Sequence, residues 1–268
     1  MPQAFTLTPG RVPLLISLPH AGTEIPADQW SRYGERALRS EDSDWHLEAV
    51  YAPIAERLGA SLLVPRYSRY LIDLNRPPTD APMYAGSNNT GLCPLTDFEG
   101  RPLYRDGAEP DAAERERRVA AYWRPYHEAL EAELQRLRAQ HGVALLWDGH
   151  SIESELPWLF DGRLPDLSLG SNSGAACGAV PLQAVTAALA GQQRYSQVVD
   201  GRFKGGHIPR HYGRPGQGIH ALQMEMVQAI YMLEDKRHPA PRPLLTERVA
   251  ELRPLLQTLL EVFLEAAR

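Results

Sequence analysis

Cysteine is nearly absent from this chain: Cys93 and Cys177 are the two in 268 residues. They lack the paired spacing of a metal site and are too few for a disulfide framework, so packing is their expected role. No run of about 18 apolar residues occurs, so no membrane helix is predicted. The opening MPQAFTLTPGRVPLL carries one arginine and no long apolar stretch, unlike a secretory signal, and a cytoplasmic location is expected. Positive charge is not in excess either, since 28 Lys and Arg against 33 Asp and Glu leave a formal net charge of −5. No general attraction to nucleic acid or membranes is expected, and an anionic ligand would need a local basic pocket. No internal repeat or low-complexity tract appears. The remaining composition is that of an ordinary globular protein, and the length suits one large α/β domain over residues 1–268.

Periodicity supplies the elements. VPLLISL (12–18) reads as a strand that runs into PHAGTEIP. In SDWHLEAVYAPIAERLGA, Leu47, Val50, Tyr51, Ile54 and Leu58 recur at helical spacing, with Gly59 as the stop. SLLVP and RYLIDL read as the next strands, the latter delivering NRPP. VALLW (143–147), bounded by Gly142 and Gly149, is too short for a typical helix and reads as a strand covered on both faces. YSQVVDG and GIHALQMEM complete the strand set, and in the last one Ala221, Gln223 and Glu225 share a face by the period-two rule. Helices are predicted over DAAERERRVAAYWRPYHEALEAELQRLRAQHG, split or kinked by Pro125, from about Pro181, and over the C-terminal LLTERVAELRPLLQTLLEVFLEAAR. Residues 77–110, rich in Pro, Gly, Asn and Asp, are expected to form a long surface excursion over the site.

Four polar clusters follow or lie on predicted strands: PHAGTE, DLNRPP, WDGHS and HALQMEM. In open α/β sheets the crevice at the carboxyl ends of the strands is where ligands bind. Gathered there, His20 and His150 would offer imidazoles to a divalent metal, Arg76 a guanidinium to a carboxylate, and Glu225 a carboxylate for proton transfer. The bland alternatives are loop histidines bonded to backbone and a glutamate paired with an arginine. Two acids compete for a third metal position. Glu24 follows His20 by four residues, but Gly22 and Pro26 oppose a regular helix there. Asp44 opens the next helix, where an acid would also complement the helix dipole; it is taken ahead of Glu24. Positive charge is concentrated in RYSRYLIDLNR and in the acid-free GRFKGGHIPRHYGR. Two such arginine-bearing stretches suit a small substrate with more than one carboxylate.

Together, PLLISLPHAGTEIP, SDWHLEAVY, SRYLIDLNRPP, YWRPYHEAL, LLWDGHSIESELPWLFDGRLPDLSLGS, GRFKGGHIPRHYG and GIHALQMEMVQAIYM resemble the N-formylglutamate amidohydrolase (deformylase) family of histidine breakdown, over roughly residues 12–235. The resemblance extends to zinc carboxypeptidases and aspartoacylase, and implies a three-layer α/β/α sandwich around a mixed sheet. It implies His20 and His150 as ligands of a divalent metal of the zinc type, Ser151 as a support for the second histidine's loop, and Glu225 as the catalytic carboxylate. Asn75 and Arg76 are similar to the pair with which zinc carboxypeptidases hold a substrate carboxylate, and Arg69 to their carbonyl-polarising arginine. Those relatives have His-x-x-Glu at the first metal position and this chain has His-x-x-x-Glu, so Glu24 is not carried over and Asp44 takes its place. The implied reaction is hydrolysis of N-formyl-L-glutamate, a small dicarboxylate, to formate and L-glutamate. Arg76 and one basic residue of 202–214, Arg210 by preference, would clamp its carboxylates. Another N-acyl amino acid, a terminal peptide bond, or non-catalytic dicarboxylate binding are the alternatives.

Overall fold

The computed structural model describes residues 3–81 and 90–267. Its strands are β1 (Phe5–Thr8), β2 (Leu14–Ser17), β3 (Ser61–Pro65), β4 (Ala144–Ile152), β5 (Leu167–Gly170), β6 (Gln197–Val199) and β7 (Ile219–Val227). They form a mixed sheet in the order β1-β3-β2-β4-β7-β5-β6. The four central strands β3, β2, β4 and β7 run parallel, while β1 and β5 join them antiparallel. A parallel centre must be covered on both faces, and it is. Leu14, Ile16, Leu145, Trp147, Leu222 and Met224 point to one side. There they meet the apolar stripes of α1 (Leu47–Leu58), α4 (Ala179–Gly191) and α6 (Thr246–Ala266). Leu15, Ala144, Leu146 and Ala221 point to the other, against α3 (Arg124–His141) and α5 (His207–Tyr212). The result is the α/β/α sandwich that the motifs imply. No described helix is long and apolar enough to cross a membrane.

Register carries the polar residues to one place. Asp148 pairs with Gln223 and His150 with Glu225 along β4 and β7. By alternation all four continue the row of Ala144, Leu146 and Ala221, so they face the α3 and α5 side, beyond the point where apolar packing ends. The strand therefore does not stop at Trp147. It runs on, buried throughout, to Ile152.

Other expectations need correction. RYLIDL is not a strand: residues 69–74 are a buried run of turns, in which Leu71 N–H reaches Ser68 O and Asp73 N–H reaches Leu92 O. An irregular segment with its amides satisfied this way can bury alternating side chains as a strand does. β1, β5 and the short α5 were not anticipated. Asp44 does not open α1, which starts at Leu47 after His46 in a left-handed conformation (φ 66°); Asp44 N–H instead bonds His20 O at 2.9 Å. The segment 90–110 is more than a surface excursion, because Leu92, Cys93, Phe98, Leu103 and Tyr104 are buried in it; the remainder of that expected excursion, 82–89, lies outside the described residues. Pro125 does divide its helix. α2 (Ala112–Arg118) passes through a wide π-type turn, Val119–Trp123, before α3 begins.

Candidate active site

His20 follows β2, Asp44 precedes α1, and His150 lies near the carboxyl end of β4. These three buried side chains offer ligand atoms that all lie within 4.8 Å of one another. Nδ1 of His150 is 3.3 Å and Nδ1 of His20 is 3.9 Å from the same oxygen, Asp44 Oδ2. Each imidazole is backed on its other nitrogen by a carboxylate: His20 Nε2 lies 2.7 Å from Asp73 Oδ1, and His150 Nε2 lies 2.9 Å from Asp148 Oδ2. A carboxylate accepts, so a ring proton on Nε2 leaves each Nδ1 lone pair turned toward Asp44; at His150 the Asn75 amide Nδ2 also lies 2.9 Å from Nε2. Carboxylate–histidine pairs of this kind are what orient metal-ligating imidazoles. Asp44 Oδ2 accepts from Ser151 N–H at 3.0 Å, while Asp44 Oδ1 is buried with no partner among the described residues. A buried carboxylate oxygen left bare is costly unless a cation completes it. The residues present therefore fit a divalent ion.

The charges agree with that fit. Burial alone would raise Asp73, but His20 and Arg69 outweigh it and hold the carboxyl well below its ordinary range. Burial works against charge on His150 too, yet Asp148 and Asp44 raise it well above the usual imidazole value, whereas burial and Arg69 lower His20. The acids thus favour positive charge at His150, while Arg69 opposes it at His20.

Glu225 lines the same cleft beside His150. Burial pushes its carboxyl up to about 8, with Asp44 and Asp148 adding to the rise and His150 and Arg69 opposing it. Arg69 is also buried at the cleft. It donates to Asp73 Oδ2 at 2.8 Å and lies over the Phe98 ring, 4.8 Å from its centroid. Arg76 lines the cleft too, with its Nε 3.9 Å from the same Asp73 Oδ2, and donates to Thr90 Oγ1 at 3.1 Å.

Not every expected residue arrives. Glu24 is half exposed and paired with Arg66 at 2.8 Å, and it is not among the convergent ligand atoms. Arg210 is exposed on α5, bonds Gly205 O through Nε at 2.8 Å and does not line the cleft; Arg202, from the same basic stretch, does. Asn75 reaches the cleft wall, but its amide is engaged within the protein. Nδ2 donates to Asp148 Oδ2 at 3.1 Å and Oδ1 accepts from Ile208 N–H at 2.7 Å. The approach is so close that a Cβ on Gly206 would collide with the Asn75 side chain. Ser151 keeps its expected place. Its hydroxyl meets Tyr231 Oη at 2.7 Å, tying the end of β4 to the segment after β7. Sequence reasoning missed Asp73 and Phe98. The first sits in the run misread as a strand, and the second is brought in by chain far from any motif.

The N-formylglutamate amidohydrolase profile matches residues 12–232. The chain belongs to that family. It is 50% identical over 263 residues to an N-formylglutamate deformylase of Pseudomonas aeruginosa, with 97% of each chain covered. It is 47% identical over 260 residues to one of Pseudomonas putida, again over 97% of each. The crystal structure of an N-formylglutamate amidohydrolase from Ralstonia eutropha superposes with a TM-score of 0.78 at 26% identity, over 98% of this chain and 97% of that one. As a member of the N-formylglutamate amidohydrolase family, the chain is a hydrolase of an amide bond.

Proposed function

We propose that the protein hydrolyses N-formyl-L-glutamate to formate and L-glutamate, with residues 1–268 acting as one catalytic domain. The observation that carries the reading is the cleft itself: Glu225 stands beside the His20, Asp44 and His150 cluster, with Arg69, Arg76 and Arg202 on the walls. His20, Asp44 and His150 would hold a divalent ion, zinc by the preference of two imidazoles and a carboxylate. When bound, it supplies Lewis acidity at the reacting carbonyl and acidifies water. Ionised, as a divalent ion held beside it would favour, Glu225 takes a proton from the attacking water and passes it to the departing amine nitrogen. Arg69 offers its guanidinium to the oxyanion that develops on the formyl carbonyl. Arg76 and Arg202 receive the two substrate carboxylates and so place the formamide against Glu225. Asn75 holds the segment between them and the histidines.

A non-catalytic dicarboxylate binder would need the arginines alone; a buried glutamate beside three convergent ligands favours turnover. The reaction would close a histidine-degradation route, the setting implied by the motifs. A cytoplasmic enzyme suits the two free, buried thiols of Cys93 and Cys177. Release of the free amino acid from N-formylglutamate, N-acetylglutamate and N-formylleucine, measured with the metal content of the purified protein, tests the reading. N-formylglutamate should far outpace both others, since N-formylleucine leaves an arginine unpaired and N-acetylglutamate brings a methyl group where the formyl hydrogen sits. Equal rates on all three, or full activity in metal-free protein, would defeat it.

A further inference from the structure

The segment Leu74-Asn75-Arg76 has no regular structure, yet each of its three peptide carbonyls is held by a donor from elsewhere in the fold. His127 Nε2 lies 2.8 Å from Leu74 O, His207 N–H lies 3.1 Å from Asn75 O, and Trp123 Nε1 lies 2.9 Å from Arg76 O. The outer two donors come from one helical face. Trp123 and His127 are four residues apart and their rings stack, with centroids 3.7 Å apart and planes 19° from parallel.

The proton positions follow from the acceptors. A carbonyl cannot donate, so His127 Nε2 carries the hydrogen, and burial keeps this imidazole neutral. Nδ1 is then an acceptor, satisfied by Tyr212 Oη at 2.8 Å. The tautomer is locked. Trp123 owes its place to the π-type turn: Arg124 N–H reaches back five residues to Val119 O, and Pro125 has no N–H with which to continue a regular ladder. The extra residue in that turn rotates the α2 side of the helix by about 100° relative to α3. The turn thus ends with the indole against the Arg76 carbonyl.

We propose that Trp123 and His127 are positioning residues for substrate recognition, which clamp the Leu74 and Arg76 carbonyls and thereby aim the Arg76 guanidinium at a substrate carboxylate. The inference rests on the role given to Arg76 under the proposed function. Neither residue lines the cleft. Their effect passes through the Leu74 and Arg76 carbonyls, while Asn75 between them, which contacts Asp148 and His150, keeps its own anchors on the His207 and Ile208 N–H groups.

The test is steady-state kinetics on N-formylglutamate with metal content and melting temperature measured in parallel. Trp123→Phe keeps a stacking ring and removes the donor, and His127→Phe does the same at the second clamp. Each should raise KM by about 3- to 10-fold, the size of one hydrogen bond, with kcat and bound metal little changed. His127→Gln, which restores an N–H near Nε2, should recover part of the loss. In an Arg76→Ala background the Trp123→Phe change should add nothing, because there is no guanidinium left to aim. A KM unchanged in both Phe variants while Arg76→Ala raises it would overturn the clamp alone, as would equal loss in the presence and absence of Arg76. A KM unchanged in Arg76→Ala would overturn the carboxylate assignment and the clamp with it.

Discussion

The imidazoles of His20 and His150 lie with centroids 4.8 Å apart, and each turns its Nδ1 toward Asp44 Oδ2 while an aspartate backs its Nε2. Two unrelated stretches of chain thus end in the same arrangement. Asp73 comes from a run of turns after β3, whereas Asp148 comes from β4 itself, two residues before the histidine it supports. The two supports differ in kind: Asp148 and His150 share a strand face by alternation, but Asp73 meets His20 only because the segment after β3 folds back across the end of β2.

Asp44 and Glu24 make opposite predictions. Asp44→Asn removes the anionic oxygen on which both Nδ1 atoms converge, so metal content after dialysis should fall well below one per chain and activity should fall with it. Glu24→Gln breaks only an exposed pair with Arg66 and should leave both unchanged. Metal retained by Asp44→Asn and lost by Glu24→Gln would make Glu24 the third ligand in place of Asp44.

Glu225→Gln keeps the shape of the side chain but cannot accept a proton. Turnover should drop by about 10²–10⁴-fold while metal and substrate affinity persist. Single-turnover rates alongside equilibrium binding separate the two effects. Loss of metal would make Glu225 a ligand instead, and unaltered turnover would place the base elsewhere.

Much of this site was legible because the residues that touch the reacting groups follow strands whose patterns are strong. VPLLISL and VALLW are apolar runs between breakers, and their polar continuations had to lie at the strand ends. GIHALQMEM alternates, which placed Gln223 and Glu225 on one face. What stayed hidden depends on distant chain. β5 is four residues whose partner β7 lies more than fifty positions on, with Ser168 opposite Glu225. Arg202 and Arg210 sit in one acid-free stretch with nothing local to rank them. The choice is made by α5, which begins between them and carries Arg210 to the surface. RYLIDL mimics a strand because burial, not pairing, sets its pattern.

Acid stability should report the scaffold behind the site. Arg118 is fully buried and donates to Leu71 O at 2.9 Å, and its Nε meets Glu114 at 2.7 Å. Hydrogen bonds from Arg117 and Arg118 outweigh partial burial and bring the Glu114 carboxyl down to about 2. Because the folded value lies below the unfolded one, this pair stabilises fully above the ordinary glutamate range, and the contribution is lost as pH falls toward 2. Glu114→Gln should therefore be less stable than the parent at neutral pH, and the gap in denaturant midpoint should close as pH is lowered. A gap independent of pH would show that packing, not charge, is what Glu114 supplies.

The last prediction distinguishes the arginines. Arg76 and Arg202 line the cleft and Arg210 does not, although all three lie in basic stretches of similar character. A substrate carboxylate bound by a guanidinium fork loses both charge and geometry in an alanine variant, so Arg76→Ala and Arg202→Ala should each reduce kcat/KM by about 10- to 100-fold. Arg76→Lys keeps the charge without the fork and should fall between Arg76→Ala and the parent. Arg210→Ala should stay within about threefold, because Arg210 does not line the cleft. Comparing substrates then assigns the pockets. If Arg202 meets the side-chain carboxylate, Arg202→Ala should erase most of the preference for N-formylglutamate over N-formylleucine, whereas Arg76→Ala should depress both substrates alike. A preference erased by Arg210→Ala and untouched by Arg202→Ala would return the second carboxylate to α5.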